Sequence, residues 1–174
     1  MINSHAIRSK KLALSLVELV MVMVIIGILA VVAIPRVEVF YNIKFHAAAK
    51  KLVSDIRYAQ NIAISKHVNI TVAFTPASDS YSVIYTANST SLRDPFTHSS
   101  MVTDYRTDAQ YAGIDILANV SFGGTPSLRF DWQGIPEDAN GNNITVTGNV
   151  VLRYHDFDDI TISVTPQTAR ITAR

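Results

Sequence analysis

The chain has 174 residues, of which 48% are hydrophobic and 17% charged, and its 15 Lys+Arg against 14 Asp+Glu give a net charge of +1. That balance, with no basic patch interleaved with aromatics, lacks the electrostatic footprint of a nucleic-acid binder. The absence of cysteine excludes a disulfide scaffold, thiolate zinc sites, haem attachment and thiol catalysis, so an exported domain of this size has to rest on its apolar core.

The first thirteen residues are polar and carry Arg8, Lys10 and Lys11 with no acid. They precede an apolar run from Leu12 to Ile34 that contains one charge, Glu18. A helix from Leu14 to Ile34 rises roughly 31 Å, enough to cross a hydrocarbon core. Cations just before the span predict a cytoplasmic N-terminus and export of the remainder. A carboxylate at membrane depth costs on the order of 2.5–3.5 kcal/mol at a helix centre and somewhat less near the interface, so Glu18 calls for a cation from another copy of the chain or from a processed N-terminus. A plain signal anchor accounts for the span but not for Glu18. Ordinary secretion, with cleavage after Val31-Val32-Ala33, conflicts with the charge inside the apolar region.

The segment Lys10-Lys11-Leu12-Ala13-Leu14-Ser15-Leu16-Val17-Glu18-Leu19, followed by Ile25-Ile26-Gly27-Ile28-Leu29-Ala30 and Ala33-Ile34-Pro35, resembles the type IV prepilin signature. The resemblance implies cleavage between Ala13 and Leu14 by a prepilin peptidase, N-methylation of Leu14, and pairing of the Glu18 carboxylate with the amine of a neighbouring subunit. It departs from the usual pattern in having Ala13 for glycine and Leu14 for phenylalanine. Two opposite charges in a low-dielectric setting attract strongly, so such pairing is a registry device.

Pro35 lacks an N–H and clashes with the preceding turn, which predicts a kink. Beyond it, Phe45, Ala49, Leu52, Ile56, Ala59 and Ala63 recur at spacings of three and four, predicting a helix that ends near Lys66, with Lys44, Lys50, Lys51, Asp55 and Arg57 placed around its apolar stripe. The pattern then turns to period two. Val68, Ile70, Val72 and Phe74, a turn at residues 76–80, and Tyr81, Val83 and Tyr85 predict a hairpin. Asn88 to Arg106 reads as a long surface loop. Further strands are expected at residues 114–122, 127–132, 144–154, 160–164 and 169–173, the last two joined by a tight turn at Pro166-Gln167-Thr168. The expected fold is α+β and pilin-like: a basic leader at 1–13, a transmembrane helix at 14–34, its amphipathic continuation at 35–66 and a β-rich periplasmic head at 67–174.

Phe130-Asp131-Trp132-Gln133-Gly134-Ile135-Pro136 and the final strand pair around Thr168-Ala169-Arg170-Ile171 resemble the C-terminal half of the GspH/FimT group of minor pseudopilins, which has a Phe-x-x-x-Gly-x-Pro element and a Gly-Arg turn. Ala169 stands where that glycine is expected. The resemblance implies a non-enzymatic structural subunit of a type II secretion pseudopilus, anchored in the inner membrane, that helps initiate or cap a short periplasmic fibre. Its partners would be other pseudopilins, the prepilin peptidase, the assembly platform and membrane lipid. The alternative is a minor pilin of a type IV pilus, serving adhesion or binding DNA for competence, which would need a basic stripe among Arg93, Arg106, Arg129, Arg153, Arg170 and Arg174.

No cofactor is expected. The oxygen-rich loop Glu137 to Asn143 has the ligand type that calcium prefers but not the spacing of an EF-hand, and reads as a solvated turn. Asp156-Phe157-Asp158-Asp159 reads as a hairpin tip. None of His5, His46, His67, His98 and His155 has a second ligand at zinc spacing. His155-Asp156 is a catalytic pair only on paper, since no serine sits in a nucleophile-elbow turn. Trp132 is expected in the core or at an interface.

Overall fold

The structure, a computed structural model, describes residues 15–33, 36–155 and 157–174. The chain separates into two compact units, residues 1–40 and 41–174. In the first, α1 runs Leu16–Ala33. Among the described residues no helix is long and apolar enough to cross a membrane. As described, α1 has 18 residues and rises about 27 Å, against a hydrocarbon core of about 30 Å. The two residues that would extend the span, Leu14 and Ile34, lie outside the described residues, as do Ala13 and the kink expected at Pro35.

The second unit is α+β. Helix α2, Arg36–Lys66, supplies its long helix from residue 41 onward. The predicted stripe is buried at every position from Phe45 to Ala63, and Ala48 joins it. Alanines at four of these seven positions keep the stripe thin where it joins the core. The period-two segments form β1 (Ile70–Thr75) and β2 (Ser80–Tyr85), antiparallel with Thr75 opposite Ser80 across a 3-10 turn at Pro76–Ser78.

The span from Asn88 to Arg106 is not the surface loop its polarity suggests. It contains β3 (Val102–Asp104), which pairs with β2, and it buries Leu92, Met101, Thr103 and Tyr105. Strand β4 is short, Ile114–Ile116. Strand β5, Ser127–Phe130, pairs with β1 and with the two-residue β6, Pro136–Glu137. Strand β7 begins only at Gly148 and runs to Tyr154. It is followed by β8 (Ile160–Val164) and β9 (Ile171–Ala173).

The result is two antiparallel sheets, ordered β3-β2-β1-β5-β6 and β4-β7-β8-β9. One apolar cluster joins α2 to both of them, with Phe74, Phe122, Phe130, Leu128, Leu152 and Ile162 at its centre.

Asp79 ties the two sheets together. It closes the 3-10 turn in the left-handed region (φ 49), a conformation Asp tolerates better than most residues. One carboxylate oxygen accepts the Ile116 N–H at 3.0 Å and the other accepts Arg106 Nε at 2.7 Å. A buried carboxylate with both oxygens engaged meets the requirement that buried charge be paired and hydrogen-bonded.

Candidate functional site

Two surfaces concentrate the chemistry, one in each unit. The first is α1. From Leu16 to Val31 every described side chain is exposed, and a helix apolar on all sides has no polar face to offer water. Glu18 lies in its first turn, where a carboxylate is favoured by the helix dipole. The helix contains no cation, and the residues three and four places on are Met21 and Val22. A counter-charge for Glu18 therefore has to come from outside α1.

The second surface is on the head, where the sequence motif around Gly134 acquires a physical reason. Phe130 is fully buried at the end of β5. Asp131 then folds the turn: its Oδ1 accepts the Gln133 N–H at 2.9 Å and the Ile135 N–H at 2.7 Å. Gly134 adopts φ +83, and Gln60 of α2 donates to its carbonyl at 3.0 Å. Pro136 starts the short strand that returns along β5, and it is buried. The element thus clamps the β5–β6 turn to the C-terminal end of α2. Trp132, at the crest of this turn, is half-exposed and stacks on His67 with centroids 6.1 Å apart.

The acidic loops are occupied by their own chain. Asp138 Oδ1 accepts the N–H groups of Asn140 and Asn142 at 2.8 and 2.9 Å, and Oδ2 takes the Asn142 side chain at 3.1 Å. Glu137 turns the other way, with its Oε2 2.9 Å from Arg129 Nε but without an aligned hydrogen bond. Burial raises the Glu137 carboxyl above its ordinary value and the Arg129 charge opposes that. At the β7–β8 tip Asp159 is held by both Nε and Nη2 of Arg153 at 2.8 Å. Asp156 and His5 lie outside the described residues. Among the described residues no group of three or more His, Asp or Glu side chains is arranged to hold a metal.

Asp55 departs from the sequence reading. It is buried rather than beside the stripe, accepts the Tyr81 hydroxyl at 2.7 Å and pairs with Lys51 at 2.8 Å. Burial first, then the neighbouring Tyr105 and Asp55, push the Tyr81 phenol well above its ordinary value, so it remains a donor.

The six arginines are not one stripe. Arg106, Arg129 and Arg153 are committed to Asp79, Glu137 and Asp159, and Arg93 donates to the His98 carbonyl. Arg170 and Arg174 instead join Arg57 along the junction of α2 and β9. Arg57 Nη2 reaches the Ile171 carbonyl at 3.3 Å across 114 residues of sequence. Spacing along the chain gives no hint of this junction; only the topology brings β9 to α2.

The profile of the family described as Type II transport protein GspH matches residues 48–169. No curated protein matches the chain. Among solved structures, the crystal structure of the type IV minor pilin FimU from Pseudomonas aeruginosa (strain PAO1) is similar, at 17% identity and a TM-score of 0.48, covering 76% of this chain and 90% of that one.

Proposed function

The chain belongs to the GspH family, and from that premise we propose that it is a minor pseudopilin of a type II secretion system, a non-enzymatic subunit that helps initiate or cap a periplasmic fibre. The family is one of structural subunits, and assembly with other subunits of that kind is the role it implies. The observation that carries the reading is α1: an apolar helix exposed on every described side, with a single carboxylate in its first turn. Such a surface is stable in lipid or among like helices, and the carboxylate selects the position along them at which a cation is met.

In this reading the helix extends from Leu14 to Ile34 and anchors the chain in the inner membrane, with the head outside it. Cleavage between Ala13 and Leu14 by a prepilin peptidase frees the Leu14 amine, which is then methylated. The Glu18 carboxylate of one subunit pairs with the amine of its neighbour as the helix leaves the bilayer, and Pro35 marks the kink between anchor and head-bearing helix.

The experiment is the intact mass of the chain extracted from its native membrane, with and without the peptidase. A mass beginning at Leu14 with one added methyl, seen only with the peptidase, is the expected result. A full-length mass in both strains points to a permanent anchor and defeats the proposal. Glu18→Leu should insert normally but be depleted from the fibre, and undiminished incorporation at native expression would rule out charge pairing.

A further inference from the structure

Strand β9 forms one edge of the second sheet. Arg174 and Thr161 exchange both backbone hydrogen bonds, at 3.0 and 2.7 Å, and Thr172 stands opposite Ser163. Backbone direction alternates along an antiparallel strand. Ile171 and Ala173 therefore turn their N–H and C=O groups off the outer edge. Of these four groups only the Ile171 carbonyl has a partner among the described residues, Arg57.

The edge borders a cleft of about 610 Å³ against α2, floored by Ala49, Val53 and Ile171 and rimmed by Lys50, Arg57 and Arg174. A second groove continues along the same edge past Arg170. No acidic residue lines either one. Among the described residues the four ion pairs all use other cations, so none of Lys50, Arg57, Arg170 and Arg174 is committed to an acidic side chain, in a chain whose total charge is only +1.

We propose that this cleft takes an extended, carboxylate-bearing segment of a partner protein, which adds to β9 as a further strand and sets alternate acidic side chains against Lys50, Arg57 and Arg174. Strand addition gains affinity from backbone pairing and specificity from alternate side chains. The dimensions agree. Lys50 and Arg57 lie two turns apart on one face of α2, about 10.5 Å, between the roughly 6.6 and 13.2 Å that separate same-face side chains of a strand, a difference that their long, flexible side chains span. The apolar floor receives side chains on the inner face.

A phosphate polymer fits the cations but not the edge, because its oxygens would meet the outward carbonyl of Ala173 with no donor to offer. A peptide supplies donor and acceptor in alternation. The proposal concerns residues 46–174 and does not rest on fibre assembly through α1.

The test is fluorescence anisotropy on the full chain in detergent micelles, with a labelled, end-capped hexapeptide alternating Glu and Val. Comparison probes are the same peptide N-methylated at alternate residues in either register, a Lys/Val counterpart, and a 20-nucleotide single-stranded oligothymidylate. The Glu/Val peptide should bind saturably and the Lys/Val peptide should not. N-methylation in one register should weaken binding by at least about tenfold, since it removes the edge hydrogen bonds.

The double variant Lys50→Glu/Arg174→Glu should lose at least about tenfold. Both residues are exposed, so its unfolding midpoint should match the parent's. Three results would overturn the proposal: no saturable binding of the Glu/Val peptide, equal binding of both methylated forms, or preferential binding of the oligothymidylate that the same double variant abolishes.

Discussion

Replacing Gly134 by alanine separates two costs that a glycine motif usually confounds. The residue has φ +83, and a Cβ built on its backbone lies 2.6 Å from Ile64 Cδ1 and 2.8 Å from Ile64 Cγ1. The left-handed conformation alone costs an alanine roughly 1–2 kcal/mol. Pushing Ile64 off its rotamer adds about 0.5–1.5 kcal/mol. If the turn lifts instead, the hydrogen bond from Gln60 to the Gly134 carbonyl is lost, at about 1 kcal/mol. Either route costs in total about 1.5–3.5 kcal/mol.

Gly124 is the matched control: it has φ +86 and nothing within 4 Å of its added Cβ, so Gly124→Ala should cost only the conformational part, roughly 1–2 kcal/mol. The measurement is urea denaturation of the full chain in detergent, followed by emission from Trp132, the sole tryptophan. Ile64 is itself 44% exposed, so Ile64→Ala should cost little in the parent and recover most of the excess in Gly134→Ala. Equal costs at the two glycines, or no recovery with Ile64→Ala, would refute the clamp between this turn and α2.

Tyr81→Phe removes the hydroxyl that Asp55 accepts at 2.7 Å and leaves the buried carboxylate with Lys51 alone; the loss should be about 1–3 kcal/mol, read as a shifted urea midpoint. Gly148→Ala places a methyl against the fully buried Phe122 ring, 2.8 Å from Cε1 and 3.1 Å from Cγ, while paired hydrogen bonds between Ser121 and Asn149 hold the two segments together. It should destabilise by about 1–3 kcal/mol, with partial rescue by Phe122→Leu in the same denaturation assay.

Backbone N–H groups hold Asp94, Asp104 and Asp138 below the ordinary 3.8, and the Arg153 guanidinium does the same for Asp159. Their folded values lie below their unfolded ones, so the unfolded chain binds more protons as the medium is acidified. Their contribution is complete above pH 3.8 and is lost as pH falls through the folded values. Asp138→Asn should flatten the acid limb of a plot of unfolding free energy against pH. Glu137, raised above 4.5, works in the opposite sense, its contribution declining as pH rises through its folded value.

The helix of the head was readable from sequence because burial there follows the 3.6-residue period, from Phe45 through Leu52 and Ile56 to Ala63. Asp55 was readable too, had arithmetic outweighed charge. It stands three residues after Leu52 and four before Ala59, which places it on the stripe, and only its carboxylate suggested solvent. The hairpin of β1 and β2 followed from strict alternation. Strand β3 did not: Met101, Thr103 and Tyr105 are buried in strict alternation, but the middle one is a threonine and the flanking stretch is polar, so the period carries almost no hydrophobic signal. Strand β6 is two residues long and begins with a proline, so nothing local marks it; it exists because Asp131 and Gly134 fold the turn that delivers it to β5. The junction of α2 with β9 depends on a contact across 114 residues, which no local pattern encodes.

The two units also differ in what explains their sequences. In the head nearly every informative residue is accounted for by an internal partner: Asp55 by Tyr81, Asp79 by Ile116, Asp138 by its own loop, Gly134 by Ile64 and Gln60. In α1 no such account exists. Its apolar residues are exposed on every described side and Glu18 has no cation within the helix. Stability of the folded chain in water would favour polar residues over nearly all of that surface. On the function proposed above, the conditions that shaped α1 lie outside the chain, in lipid and in neighbouring helices. That is why substitutions in α1 should leave the unfolding of the head unchanged while altering incorporation into the fibre, whereas substitutions at Gly134 or Tyr81 should act on incorporation only through stability.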